Sequence, residues 1–321
     1  PLPGPRNALT DVAGLKVGHA EDHRLLTGVT AVIAGRPMRA AISVMGGGAA
    51  LRSDGMGRGA TVAEVDGVVL SGGSAFGLDA PGGAMDWLRR EGRGLPVRDA
   101  RIPIVPGAII FDLGLGAADW AEPPWWRLGR EAAAAAGPDF ALGNAGAGLG
   151  ATAGPLKGGL GTASIRWGAF TVAALAVANP MGSAVIPGSR HFWAWDVEEG
   201  AEFGGLGPPT ARPEPWTPVG TPHANTTLVV VATDAVLDRS QAERLALMAQ
   251  DGLARAIRPV HSPMDGDTVF ALASGAHPLR DPVADLTQLG ELAAAVTARA
   301  IARGVFEAVA LAGWPAWRDL R

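Results

Sequence analysis

The chain has no cysteine and no tyrosine. The first absence excludes disulfides, thiolate nucleophiles, cysteine-ligated zinc and iron–sulfur clusters together. The second excludes a phenol as acid or base. Lysine is scarce: Lys16 and Lys157 stand among 27 basic residues, and arginine supplies the other 25. An ammonium able to lose its proton is therefore available at two positions, because arginine stays charged. Long apolar runs are missing too. The longest, such as 169–178, fall short of the roughly 20 residues that a membrane helix needs. The start of the sequence, PLPGPRNALTDV, has no basic segment followed by an apolar core, so no secretory leader is expected and a soluble, cytoplasmic protein is. A formal charge of −4 lacks the basic footprint of a nucleic-acid binder.

What is present is a large apolar fraction. Of 321 residues, 48% are hydrophobic and 18% charged, enough for a substantial core and far from a disordered composition. The 46 glycines and 25 prolines predict many tight turns and close backbone contacts. Strand-like runs at 31–33, 40–44, 67–70 and 103–111 are bounded by Gly, Pro or Asp. Apolar spacing of three and four predicts helices over 80–91, 131–136, 238–258 and 286–309, while 169–178 reads equally as a buried strand or helix. Residues 204–224 are so rich in Pro and Gly that they read as an exposed loop or linker. Directly after them, 226–232 (TTLVVVA) reads as a central strand, and 264–273 as a turn and another strand. Strands and helices mixed throughout, with no repeat, predict α/β layers in a single domain, 1–321.

Several familiar sites fail on spacing. The glycine-rich stretch 143–161 contains no G-K-[S/T] and misses G-x-G-x-x-G, so neither a P-loop nor a dinucleotide fingerprint is present. It reads as a loop packed close to other backbone, or as a cradle that sets Lys157 beside a substrate. In 68–77 (VVLSGGSAFG), Gly72 and Ser74 match a nucleophile elbow but Phe76 does not. A strand-to-helix turn with Ser74 as the cap is the expected reading. His19 and His23 are four apart, the spacing of a shared helical face, yet no third ligand converges with them and no metal is expected.

The most informative junction is HANTTL, 223–228, where a Pro-rich loop ends and a buried strand begins on a hydroxyl residue. Cleavage between Asn225 and Thr226 would leave a threonine nucleophile with its own α-amine as base, a group with an unperturbed pKa of about 7.7–8.0. A threonine-rich strand start with no chemistry is the competing reading. Asp265 and Asp267 precede the next apolar run with one glycine between them. In extended chain they share a side, so they either serve a nucleophile and a cationic group or form a polar turn.

Taken together, LTDVAGLKVGHA (9–20), TGVTAVIA (27–34), VVLSGGSAFGLDA (68–80), PIVPGAIIFDLG (103–114), the stretch 143–164, AVANPMG (176–182), NTTLVVVATDA (225–235) and DGDTVFALASG (265–275) resemble the DmpA-type N-terminal nucleophile hydrolases. These include L-aminopeptidase/D-esterases, β-peptidyl aminopeptidases and nylon-oligomer (6-aminohexanoate-oligomer) hydrolases. The resemblance implies a four-layer αββα sandwich, assembly into homotetramers, no cofactor, and self-cleavage into α (1–225) and β (226–321) chains. It implies Thr226 as nucleophile and Asn179 as oxyanion donor, a role that contributes about 3 kcal/mol. Lys157 matches a lysine of the nylon-hydrolase branch that supports the nucleophile, and Asp265 and Asp267 match that branch's acidic pair. Aminopeptidase members carry serine at the nucleophile and at the position of Asp265, and use a tyrosine that this chain lacks. The expected activity is therefore hydrolysis of linear amides such as 6-aminohexanoate oligomers. An aminopeptidase for short or β-peptides is the alternative, because an acidic site also suits a cationic amine.

Overall fold

The computed structural model describes residues 1–53, 56, 61–217 and 225–320. The end of the Pro-rich segment, 218–224, including His223 of the junction, lies outside the described residues. Eight strands carry the architecture: β1 (Leu15–Asp22), β2 (Thr27–Val44), β3 (Glu64–Ser71), β4 (Gly107–Ile109), β5 (Gly159–Trp167), β6 (Phe170–Ala178), β7 (Leu228–Ala235) and β8 (Thr268–His277). Four helices pack on them: α1 (Ala80–Arg90), α2 (Trp125–Ala134), α3 (Arg239–Ala256) and α4 (Pro282–Glu307). By hydrogen bonding there is one ten-stranded sheet, ordered Leu2–Pro3, β5, β6, β7, β8, β2, β3, β4, Leu51–Arg52, with β1 added to β2.

That sheet lies in two layers because β2 is long and irregular in the middle. Residues 39–44 pair with β8, whereas 27–34 pair with β1, and the register against β3 shifts between Ile33 and Met38. Gly35, Arg36 and Pro37 at the shift are exposed. The strands predicted separately at 31–33 and 40–44 are thus one strand.

Burial divides into three stacked apolar cores. The first joins α3 and α4 to one face of β6, β7 and β8, through residues such as Leu245, Val296, Val229, Val231 and Val269. The second lies between the two sheet layers, where Val230, Phe270 and Leu175 meet Val17, Val32 and Leu70. The third joins Val29, Ala31 and Val69 to α1 and α2 through Leu88 and Leu128. Three cores between four sheets of elements make the αββα sandwich. Consecutive residues of β7 belong to different cores, so both of its faces are covered, and an unbroken apolar run follows.

Local chemistry sets the element boundaries. Asp238 caps α3 reciprocally: its carboxylate accepts from Gln241 N–H at 2.8 Å, and Gln241 Oε1 accepts from Asp238 N–H at 2.9 Å. Asp281 caps α4, accepting from Val283 and Ala284 N–H, with Pro282 in the first turn. α2 starts earlier than expected, after Pro123 and Pro124, and its Trp125 is buried with the indole N–H on Thr27 Oγ1 at 3.2 Å. The strand predicted at 103–111 shrinks to three residues, since Pro103 and Pro106 donate nothing to a ladder. Ser74 is not a cap: it opens a 3₁₀ turn with φ +52° and makes no side-chain cap bond. His19 lies on β1, not on a helix, with Nδ1 3.1 Å from Thr30 Oγ1 and Nε2 3.2 Å from the Ala141 carbonyl. Residues 169–178 resolve as a strand.

β5 was missed because it opens with glycines, which read locally as loop. A Cβ on Gly159 or Gly161 would run into the backbone of α4 at Gly304 and Ala300, so the helix sits directly on the strand. On the same helix, fully buried Arg299 donates to Glu202 and, at 3.0 Å, to Asn7 Oδ1.

Candidate active site

The junction residues fall where three strand ends meet. β7 and β8 are parallel, joined through α3, so their N-termini lie side by side with Leu228 opposite Thr268. β6 runs antiparallel to β7, with Val177 opposite Leu228, so its C-terminus reaches the same place. Asn179, Thr226 and the Asp265–Asp267 segment converge for that reason, although they are far apart in sequence.

Thr226 is 3% exposed. Its N–H donates to the Asn179 carbonyl at 2.8 Å, and its hydroxyl donates to the Asn225 carbonyl at 2.5 Å. The hydroxyl and nitrogen of Thr226 and the carbonyl of the Asn225–Thr226 bond are therefore all held. The Asn179 side chain is also oriented. Its Oδ1 accepts from Thr152 N–H at 2.8 Å, which turns Nδ2 the other way, to a long 3.5 Å contact with the Phe111 carbonyl. A donor held so loosely is available to a stronger acceptor.

The two aspartates have their acceptors occupied by the protein. Asp267 Oδ1 accepts from Thr227 N–H at 2.8 Å, and Oδ2 from the backbone N–H of His261 at 3.0 Å, with His261 Nδ1 2.8 Å away. Asp265 accepts from Met181 N–H at 3.1 Å and from Ser262 N–H at 3.2 Å. Burial, and then the Asp267 charge beside it, raise the Asp265 carboxyl above the usual range. In this arrangement the pair clamps the backbone around Thr226 and leaves little of either carboxylate to hold a cationic group.

Lys157 is buried one layer away. Its Nζ donates to the carbonyls of Gly148, Ala151 and Gly158 at 3.0, 2.7 and 2.8 Å, which uses all three ammonium protons. Burial pushes it down to about 7, opposed by the Asp112 carboxylate. Asp112 is pushed up to about 6 by burial, against a 2.7 Å hydrogen bond from Gly73 N–H and the attraction of Lys157. Lys157 thus organises the glycine-rich segment from inside. That segment also supplies Thr152, whose N–H orients Asn179, so the lysine reaches the site through two backbone steps.

The structure brings Thr226, Asn225, Asn179, Asp265 and Asp267 together, and Lys157 reaches them through Thr152. Sequence reading missed His261, whose backbone N–H donates to Asp267, Thr152, whose N–H donates to Asn179, and Asp112, whose carboxylate accepts from Gly73 N–H and faces Lys157. Among the described residues no three acidic or histidine side chains gather as a metal site. Nor is any helix among them long and apolar enough to cross a membrane.

Comparison with known proteins places the chain in a family. An uncharacterized aminopeptidase of Mycobacterium tuberculosis is 41% identical over 341 residues, covering 98% of both chains. A 6-aminohexanoate-oligomer endohydrolase of Paenarthrobacter ureafaciens is 30% identical over 82% of this chain and 74% of its own. Among solved structures, the L-aminopeptidase D-Ala-esterase/amidase of Ochrobactrum anthropi, described as a variant of the Ntn hydrolase fold, superposes with a TM-score of 0.72 at 21% identity, covering 96% and 88% of the two chains. A Burkholderia sp. β-aminopeptidase gives 0.70 at 24% identity, covering 98% and 90%. The family model of Peptidase family S58 matches residues 7–316, and the chain belongs to that family of hydrolases.

Proposed function

We propose that the chain cuts itself between Asn225 and Thr226 and then works as an N-terminal threonine amide hydrolase on short linear amides. One observation carries this reading: the Thr226 hydroxyl lies 2.5 Å from the Asn225 carbonyl oxygen at a buried strand end. After the cut, the free α-amine takes the proton of the Thr226 hydroxyl as that oxygen attacks a substrate carbonyl. Nδ2 of Asn179 turns from Phe111 to the developing oxyanion. The amine leaves with the proton, and water releases the acyl group from Thr226.

The two pieces stay together because they interleave. β7 lies between β6 of the first piece and β8 of its own, and Arg299 of the second piece is buried on Glu202 of the first.

Substrates of the 6-aminohexanoate-oligomer type draw on the Paenarthrobacter relative and on the threonine at 226, the acidic pair holding the backbone beside it. A second reading, an aminopeptidase, draws on the name of the mycobacterial relatives. It also draws on the Met264 carbonyl, which takes the N–H of Asn225 at 3.2 Å where a substrate's amine would lie. The test is intact mass under denaturing conditions, followed by turnover. The wild type is expected as fragments 1–225 and 226–321, and Thr226→Ala as one uncut, inactive chain. Cleavage retained in Thr226→Ala overturns the assignment. Free-amine and N-blocked amides then separate the two substrate classes, since an aminopeptidase rejects blocked ones.

A further inference from the structure

The carbonyl that self-cleavage must attack is held from a second part of the chain. Gly266 N–H donates to the Asn225 oxygen at 2.8 Å, while Asn225 N–H donates to the Met264 carbonyl at 3.2 Å. Asn225 and Asp265 form a parallel bridge, and Thr268 N–H donates to the Thr227 carbonyl at 3.1 Å, continuing into the β7–β8 ladder. The bond to be cut is thus the last rung of the central parallel pair. A Cβ on residue 266 would lie 2.5 Å from Thr226 Oγ1. Glycine at 266 lets the backbone come close enough for its N–H to reach the carbonyl and for the hydroxyl to occupy the space beside it.

We propose that Gly266 is a catalytic residue for the chain's own cleavage, its N–H carrying the negative charge that develops on the Asn225 oxygen. The proposal rests on the self-cleavage reading above. Thr226 Oγ1 bonds to the Asn225 carbonyl carbon, and its proton passes to the Thr226 nitrogen. The bond between that carbon and that nitrogen breaks, leaving a free α-amine and an ester between Asn225 and Thr226. One water hydrolyses the ester to the Asn225 carboxylate and the Thr226 hydroxyl. In both addition steps the charge sits on the Asn225 oxygen. A backbone donor fixed in a ladder meets it without reorganisation, which is where such donors act most strongly.

Asn179 does not fill this role in the uncut chain. Its backbone carbonyl faces Thr226 N–H, its Oδ1 faces Thr152 N–H, and its Nδ2 faces Phe111. Its amide serves substrates, whereas Gly266 serves the first reaction. The Asn225 oxygen, once part of an ester on Thr226, is chemically the same as the oxygen of an acyl-enzyme. Gly266 N–H therefore remains in place as a second donor for later acyl groups.

The experiment follows self-cleavage of the full chain by mass, in wild type, Thr226→Ala and Gly266→Ala, beside thermal melts. Gly266→Ala keeps an N–H but sets a Cβ 2.5 Å from Thr226 Oγ1, so the N–H must draw back from the Asn225 oxygen; the variant is expected to melt cooperatively yet cut at least ~10²-fold more slowly than wild type, the size of effect a misplaced oxyanion donor gives. Cleavage at the wild-type rate in Gly266→Ala, with Thr226→Ala uncut, overturns this proposal alone. Cleavage in Thr226→Ala overturns the self-cleavage reading beneath it. A second measurement holds even if Gly266→Ala fails to fold: amide exchange of Gly266 in the uncut Thr226→Ala chain. Protection is expected, and exchange at the rate of a free peptide overturns the proposal.

Discussion

Two buried ionisable clusters flank Thr226, and they are built in opposite senses. The Asp265–Asp267 pair is surrounded by N–H groups, from Met181, Ser262, Thr227 and His261. Lys157 is surrounded by carbonyls, from Gly148, Ala151 and Gly158. Each charge is therefore spent on backbone polarity that the fold buries without a ladder partner, and a buried polar group left unpaired is costly. The difference lies in reach. Asp267 grips Thr227, the neighbour of Thr226, and Asp265 grips Met181 and Ser262 beside it. Lys157 grips the segment that orients Asn179, and Thr226 feels it only through that segment. Charge type here decides which kind of backbone end is secured, before any part it takes in catalysis.

The sharpest way to break this comparison is Lys157→Met. It matches the length of the stem but strands three buried carbonyls and leaves Asp112 without its counter-charge. A buried polar group left unpaired costs about 1–3 kcal/mol, so with three carbonyls stranded a loss of at least that size is expected in denaturant unfolding, together with loss of turnover. A variant that keeps wild-type stability and loses turnover alone would mean that Lys157 works on the nucleophile directly.

A smaller effect separates the two aspartates. Asn at 267 must turn an NH2 toward a donor on one side or the other, because Thr227 and His261 both present N–H groups. A loss of about 1–3 kcal/mol is expected, the desolvation cost of one unmatched buried group, and the cut slows as Thr227 loosens. Asp265→Asn meets a similar clash but relieves the repulsion from Asp267 that helps raise the Asp265 carboxyl. It should be the milder change in chemical denaturation. Equal or reversed losses would remove the distinction between the carboxylate that holds the nucleophile strand and its neighbour.

How much of this was legible follows the same division. β7 was readable because both of its faces are buried, which leaves an apolar run bounded by the Pro-rich segment. α1, α3 and α4 were readable from spacing and from Asp238 and the last turns of α1, all local signals. The fold of one sheet into two layers was not, because the register shift in β2 between Ile33 and Met38 is a property of its partners. β5 was hidden because Gly159 and Gly161 are needed by α4, more than a hundred residues on. At the site, Thr226, Asp265 and Asp267 stood out at loop-to-strand boundaries. Asn179 came only through family resemblance, since an Asn before Pro carries no spacing signal, whereas Lys157 stood out by the scarcity of lysine and its place in the glycine-rich stretch. Gly266 acts through its backbone N–H, which every residue but proline has, so nothing in its identity marks it as a donor.

The pH dependence of stability sharpens the contrast between the clusters by its sign. Lys157 has its pKa lowered to about 7 by burial. Above that value the native chain has lost this proton while the unfolded chain still holds it, up to the ordinary lysine range near 10.5. Stability therefore gains from this group as pH rises from about 7 toward 10. Asp265 and Asp112 are raised, so the native chain keeps their protons longer than the unfolded one. Their contribution falls as pH rises from 3.8, for Asp112 up to about 6. Melting temperature against pH should thus show a loss on the acid limb and a gain on the alkaline limb. In Lys157→Met the alkaline gain is expected to vanish, and the acid loss to extend upward because Asp112 loses the charge that held it down. An alkaline gain of wild-type size in that variant would mean that another group, and not Lys157, is the buried amine the fold keeps short of charge.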